Sequence, residues 1–227
     1  MISVLNQRGG NHNSCEDSFF VKETDVFVFG GIFDGCSTGI NSHWASTTIS
    51  YIFQNISYGA IGMSINDAYV QTAMDYMEQA CMLLRLSPDT NLLSTCLLFV
   101  YNKETKDLEI RCFGDGVYYV NDIEYVIDQG NIPHYIAYVL KEDEDTIKKY
   151  LDKYPSVVHK DVHKFIICSD GIQAINQSQY DESSMTWQEL LLSVPKSENY
   201  LKRMWNILKI NKFTLNDDLT IISYANS

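Results

Sequence analysis

Apolar side chains run almost unbroken from Val26 to Phe33 and stop at Asp34, where Gly35 and then Gly39 follow. A run this long, rich in β-branched and aromatic residues, suits a strand buried on both faces. Beyond the glycines, Trp44, Ala45, Ile49, Ile52, Phe53 and Ile56 recur at helical spacing, which predicts a helix packed back on that strand. A second helix is predicted over 65–86, with Ala68, Tyr69, Thr72, Ala73, Tyr76, Ala80, Cys81 and Leu84 on its buried side. Ser64 or Asn66 can cap it, and Pro88 lies beyond its end. Further strands are predicted at 1–5, 18–21, 95–101, 108–113, 117–121, 124–128, 163–168 and 219–224. Residues 102–107 read as a hairpin between two of them, and Gly114-Asp115-Gly116 as the turn joining the next pair. Helices are also predicted over 142–151, 186–193 and 197–210. The strands come in antiparallel groups with helices inserted in pairs, which is α+β with helices outside stacked sheets rather than a doubly wound parallel fold. No repeat or linker divides the sequence, so one domain over 1–227 is expected.

Composition narrows the function class. The chain has 227 residues, 45% hydrophobic and 20% charged, as expected for a soluble protein with a sizeable core. Its 17 Lys+Arg against 29 Asp+Glu give a formal charge of −12, which argues against nucleic acid as a partner. No apolar run reaches the length of a membrane span, and the N-terminus lacks a basic region followed by an apolar one. Of Cys15, Cys36, Cys81, Cys96, Cys112 and Cys168, none form a C-x-x-C pair, and the 96, 112 and 168 positions lie inside apolar runs. A reduced, cytoplasmic protein is expected rather than a disulfide scaffold or a zinc site.

The candidate chemistry lies where apolar strands meet acidic residues. This happens at Glu16-Asp17, Asp34-Gly35, Asp115, Asp170-Gly171 and Asp217-Asp218. Any one could be an ordinary turn, but carboxylates at buried strand ends are costly without a partner, and few basic residues flank these. Divalent cations are the natural partner, and all-oxygen ligation selects Mg²⁺ or Mn²⁺ over zinc. Two such ions sharing one aspartate form an arrangement suited to hydrolysing phosphate esters.

The order E-D-S, G-G-I-F-D-G, G-D-G, C-S-D-G and N-D-D-L-T-I-I resembles the PP2C-type (PPM) metal-dependent serine/threonine protein phosphatases, from about Arg8 to Tyr224. The resemblance implies a four-layer α-β-β-α sandwich, two antiparallel β-sheets flanked by helices. It implies that Asp34 bridges two Mn²⁺ or Mg²⁺ ions, that the Gly35 carbonyl completes one site, and that Asp170 and Asp217 hold the first ion. Glu16 would serve the second ion directly or through water, with Asp17 steadying that shell. A hydroxide bridging the ions would attack phosphorus in line, without a phosphoenzyme. Asp115 resembles a ligand of a weaker third ion. The expected substrate is a phosphorylated protein and the expected state a monomer.

Three positions depart from the family pattern. Four residues before Glu16, where many members carry a phosphate-gripping arginine, this chain has His12; His12 could substitute, or Arg8 could reach across the glycine loop. After the central Asp-Gly, some members have a histidine proposed as general acid, and here Cys36 reads as packing rather than a nucleophile. Four residues after Asp170, members binding a third metal usually have an aspartate, whereas here Ala174 stands. The section 116–164 corresponds to the family's variable flap, and its 128–133 turn reads as a surface turn. His134, His159 and His163 lack metal-ligand spacing and read as structural or solvated. Two other readings compete: a pseudophosphatase that only binds partners, and a phosphatase for a small phosphorylated metabolite.

Overall fold

The computed structural model describes residues 1–39, 41–57, 64–130, 133–177 and 186–226. In chain order, strands β1 (Ile2–Gln7), β2 (Asp17–Glu23) and β3 (Phe27–Asp34) precede helices α1 (Ser42–Ser57), α2 (Asp67–Leu84) and the single turn α3 (Pro88–Asn91). Strands β4 (Cys96–Asn102), β5 (Asp107–Phe113), β6 (Gly116–Val120) and β7 (Ile123–Ile127) follow, then a 3-10 turn at Ile136–Val139 and helix α4 (Glu144–Lys153). Next come β8 (Val157–His159), β9 (Lys164–Cys168), a 3-10 turn at Asp170–Ala174 and β10 (Ile175–Gln177). Helices α5 (Trp187–Leu191) and α6 (Tyr200–Ile210) lead to β11 (Phe213–Leu215) and β12 (Leu219–Ala225).

Two five-stranded antiparallel sheets carry the molecule, one ordered β1-β12-β9-β6-β7 and the other β2-β3-β4-β5-β8; β10 and β11 form a small separate ribbon. Their inner faces meet in a core of Val28, Ile32, Phe99, Tyr101, Phe165, Ile167, Ile222 and Tyr224. The rings of Tyr101, Phe165 and Tyr224 pack with centroids 5.0–5.4 Å apart. On the outside of the second sheet, Phe29, Phe33 and Leu98 pack against Ile49 and Phe53 of α1, Met74 and Met77 of α2, and Ile147 and Leu151 of α4. On the outside of the first, Leu5, Ile166 and Ile221 pack against Leu190 and Leu191 of α5 and Leu201 and Trp205 of α6. The fold is therefore α+β in four layers, helix–sheet–sheet–helix, and β3 is buried on both faces because it is flanked by β2 and β4 and sandwiched between two cores. Among the described residues no helix is long and apolar enough to cross a membrane.

Two local readings are corrected. Gly114-Asp115-Gly116 does not close a hairpin: β5 pairs with β4 and β8, whereas β6 pairs with β7 and β9, so the chain crosses between sheets there. β6 is buried along its whole length and needs neighbours on both sides, which β5, already flanked by two strands, does not offer. In α2 the buried stripe is Val70, Ala73, Met74, Met77 and Cys81, not the one predicted, and Tyr76 and Leu84 are 49% and 56% exposed. Both stripes share Ala73 and Cys81; long, flexible Met74 and Met77 reach the core where Tyr76 does not. The predicted Asn66 cap is in place, its Oδ1 accepting from Tyr69 N at 2.9 Å. The short elements α3, β8, β10 and β11 carried no periodicity long enough to predict them. Of the 128–133 turn, Asn131 and Ile132 lie outside the described residues.

Arg111, on β5 and only 2% exposed, was not anticipated. Its Nε donates to Tyr154 O (2.8 Å), Nη1 to Ile65 O (3.0 Å) and Nη2 to Leu151 O (3.1 Å), tying the end of α4 to the entry of α2. Its guanidinium also lies 5.1 Å from the Phe113 ring centroid. A buried cation is stable here because its donors are shared among three main-chain carbonyls and the carboxylate of Asp67, whose Oδ1 lies 2.7 Å from Nη2.

Candidate metal centre

Strand register gathers the acidic residues. Asp17 opens β2 and Asp34 closes β3, and antiparallel pairing sets the two directly opposite each other. In the other sheet, Cys168 at the end of β9 pairs with Ile221 near the start of β12 and Val117 near the start of β6. Asp170, Asp217 and Asp115, each just outside those strand ends, therefore sit at one end of that sheet. Ser169 joins the two sheets at this end: its Oγ donates to Asp17 Oδ2 at 2.8 Å and accepts from Thr220 N at 2.9 Å.

The carboxyls crowd one another. That of Asp34 lies within hydrogen-bonding reach of those of Asp17 and Asp170. Burial first, then the charges of Asp17 and Asp170, hold the Asp34 carboxyl well above the usual carboxylate range. Burial pushes Asp17 up to about 7, and raises Asp115 and Asp217 as well. Like charges this close share protons unless a cation replaces them. Among the described residues no three acidic, histidine or cysteine side chains are drawn together tightly enough to hold an ion as they stand.

The oxygen atoms nevertheless suit a hard cation. Glu16 Oε2, Asp17 Oδ1 and Asp170 Oδ1 are buried and accept no hydrogen bond, and an unsatisfied buried acceptor typically costs about 1–3 kcal/mol. Together with Asp34 they offer an all-oxygen donor set of the kind Mg²⁺ and Mn²⁺ take. Glu16 is fixed by α1: Ser42 Oγ donates to its Oε1 at 2.6 Å, and Ser46 Oγ to its main-chain carbonyl at 2.5 Å. The same carbonyl accepts from Gly35 N at 3.2 Å, which ties the Asp34-Gly35 turn to the Glu16 segment. Gly171 has no room for a side chain, since a Cβ there would stand 1.7 Å from Asp218 O.

Of the residues expected to meet phosphate, neither stands free. His12 Nδ1 lies 2.9 Å from Asp218 Oδ2 and its Nε2 lies 3.6 Å from Asp217 Oδ1. The hydrogen bond to Asp218, with the charges of Asp218, Glu16 and Asp217, raises the His12 pKa against a lowering by burial. Arg8 is exposed, and its Nη1 donates to His12 O at 2.9 Å and Asn13 O at 3.1 Å. Asp115 Oδ1 accepts from Gln129 N at 2.7 Å, and Ala174 offers no carboxylate to face it. Cys36 packs against the helix-side core, its Sγ 3.1 Å from Thr38 Oγ1. His159 packs edge-on against Tyr118 and Tyr125.

Sequence reasoning missed Ser42, Ser46 and Ser169, which orient Glu16 and Asp17, and gave Asp218 no role of its own. Serine hydroxyls carry no spacing signal, whereas two adjacent aspartates before a strand did mark the position.

No family model and no curated protein matches the chain. Solved structures do match. A crystal structure of RsbX in complex with magnesium is 17% identical, with a TM-score of 0.58 over 97% of this chain and 92% of that one. The PP2C phosphatase domain of SpoIIE, with a fragment of its regulatory domain, from Bacillus subtilis is 15% identical, with a TM-score of 0.62 over 99% of this chain and 62% of that one. The catalytic domain of the serine threonine protein phosphatase PstP, in complex with two manganese ions, is 14% identical, with a TM-score of 0.58 over 98% of this chain and 96% of that one. The fold of this chain is thus that of the PP2C phosphatases.

Proposed function

We propose that this chain is a divalent-metal-dependent phosphatase that hydrolyses phosphoserine and phosphothreonine in proteins, working as a single domain. The observation that carries the reading is the trio of buried carboxylate oxygens on Glu16, Asp17 and Asp170 that accept no hydrogen bond among the described residues, at the end of the sandwich where Asp34 stands. The magnesium and manganese complexes of RsbX and PstP, chains of the same fold, support it. Asp34, Asp170 and Asp217 would hold one ion and share Asp34 with a second, next to Glu16, and the Gly35 carbonyl would complete one of the two sites; Asp17 would steady Glu16's shell. Bound there, two ions supply an activated water and neutralise charge on the phosphoryl group.

The chain's own groups do the rest. Ser42 holds one Glu16 oxygen and leaves the other without a hydrogen bond among the described residues, 3.9 Å from His12 Nδ1. Ser169 holds one Asp17 oxygen in the same way. With His12 taken up by Asp218 and Arg8 by loop carbonyls, substrate phosphate would be held chiefly by the cations, with the remaining donors of Arg8 at the rim. The test is turnover of p-nitrophenyl phosphate and of a phosphothreonine peptide with Mn²⁺ and with EDTA. Mn²⁺-dependent release of phosphate from both is expected. Turnover of small phosphorylated metabolites but of no phosphopeptide would move the substrate class, and none with either metal would leave a binding module.

A further inference from the structure

Of the acidic side chains gathered at this end of the sandwich, Asp218 is the most buried, at 2% exposed. Unlike Glu16, Asp17 and Asp170, it has both oxygens in use. Oδ1 accepts from Gly9 N at 2.6 Å. Oδ2 accepts from Glu16 N at 2.5 Å and faces His12 Nδ1 at 2.9 Å. These donors come from the beginning, middle and end of the loop between β1 and β2. Gly9 can enter only because it lacks a side chain: a Cβ there would stand 2.4 Å from the Asp217 carbonyl carbon. Two main-chain bonds, Gly10 N to Leu215 O at 2.8 Å and Asn11 N to Asn216 O at 3.3 Å, lay the same loop along the approach to β12.

We propose that Asp218 is a positioning residue: it clamps the 9–16 loop to the head of β12 and so sets Glu16 against Asp217, with His12 serving as its counter-ion rather than as a grip on phosphate. The inference rests on the metal-dependent reading above. Glu16 and Asp217, which would serve different ions, sit on segments far apart in sequence. Asp218 bonds the Glu16 main chain directly and adjoins Asp217 in sequence, so its carboxylate fixes their relative place. An asparagine would turn one acceptor oxygen into a donor facing another N–H, and would leave the imidazole without an opposing charge.

The test uses Asp218→Asn and His12→Gln, singly and together, with Mn²⁺ alone as the probe in calorimetry. Hydrogen exchange of the Gly9 and Glu16 amides and p-nitrophenyl phosphate kinetics are followed beside it. In Asp218→Asn both amides should exchange faster, and Mn²⁺ affinity should fall by roughly 10–100-fold, the range for losing an outer-shell partner of a metal ligand. His12→Gln should weaken Mn²⁺ less and leave KM for the phosphate ester unchanged at saturating metal. The double variant should be no worse than Asp218→Asn, because the pair acts as a unit. Unchanged Mn²⁺ affinity in folded Asp218→Asn would overturn the proposal, even if its melting temperature fell. Should Asp218→Asn not fold, His12→Gln decides: a raised KM with unchanged Mn²⁺ affinity would assign His12 to phosphate and overturn it. Wild-type protein that binds Mn²⁺ but hydrolyses no phosphate ester would end the phosphatase reading alone. Wild-type protein that binds no Mn²⁺ would end both.

Discussion

Asp34 faces the carboxyls of Asp17 and Asp170 at the half-buried end of β3, and its charge is not part of the apolar core. Asp34→Asn is therefore expected to keep its circular dichroism spectrum and melting cooperativity. It should lose Mn²⁺-dependent turnover by on the order of a thousandfold or more, the scale set by several kcal/mol of lost transition-state stabilisation. Wild-type rates in that variant would remove Asp34 from the centre. Position 174 offers the opposite experiment. Asp115 accepts a hydrogen bond from the main-chain N–H of Gln129, and Ala174→Asp adds the carboxylate that could face it. That change should lower the Mn²⁺ concentration needed for full activity, as a titration of turnover would show. The acidic positions were readable in the sequence because each interrupts an apolar run. What His12 does was not readable: a histidine four residues before Glu16 looks the same whether it faces a substrate or Asp218, and only the fold brings residues 12 and 218 to 2.9 Å.

Among the elements, most of the strands and the long helices followed from periodicity, because burial on one or both faces leaves a clear repeat. Which stripe of α2 faces inward did not, since apolar residues line more than half of its circumference and the choice belongs to the sheet below. The two stripes make different predictions. Met77, fully buried, should cost about 2–5 kcal/mol when changed to alanine. Tyr76→Ala should stay within about 0.5 kcal/mol, as exposed sites usually do. Denaturant midpoints of the two variants check the assignment, and equal losses would contradict it. The β5–β6 crossover was hidden for a related reason: a glycine-rich turn between two apolar strands reads as a hairpin until the partners of each strand are known. That crossover matters because it carries Asp115 to the same end as Asp170.

For the whole molecule, the crowded carboxyls couple stability to pH and to metal. In metal-stripped protein, Asp17 rises from 3.8 to about 7. Between those values the folded state holds more protons than the unfolded one, so stability should fall as pH rises through that window. Below the lower value both states are protonated and the cost disappears. Mn²⁺ should restore the loss and release protons as it binds, because it takes the place of the shared ones. Melting curves in EDTA and in Mn²⁺ across this range, with proton release followed in weak buffer, test the pair of effects; a flat profile in EDTA would refute them. The order of the sheets has one more consequence, for the making of the protein. β12 lies between β1 and β9, and the Glu16–Asp218 bond closes a span of 202 residues. Contacts this distant in sequence form late, and none can form while the last strand is still inside the ribosome. A chain stalled anywhere before β12 would thus emerge with most of its carboxylates and none of the proposed activity.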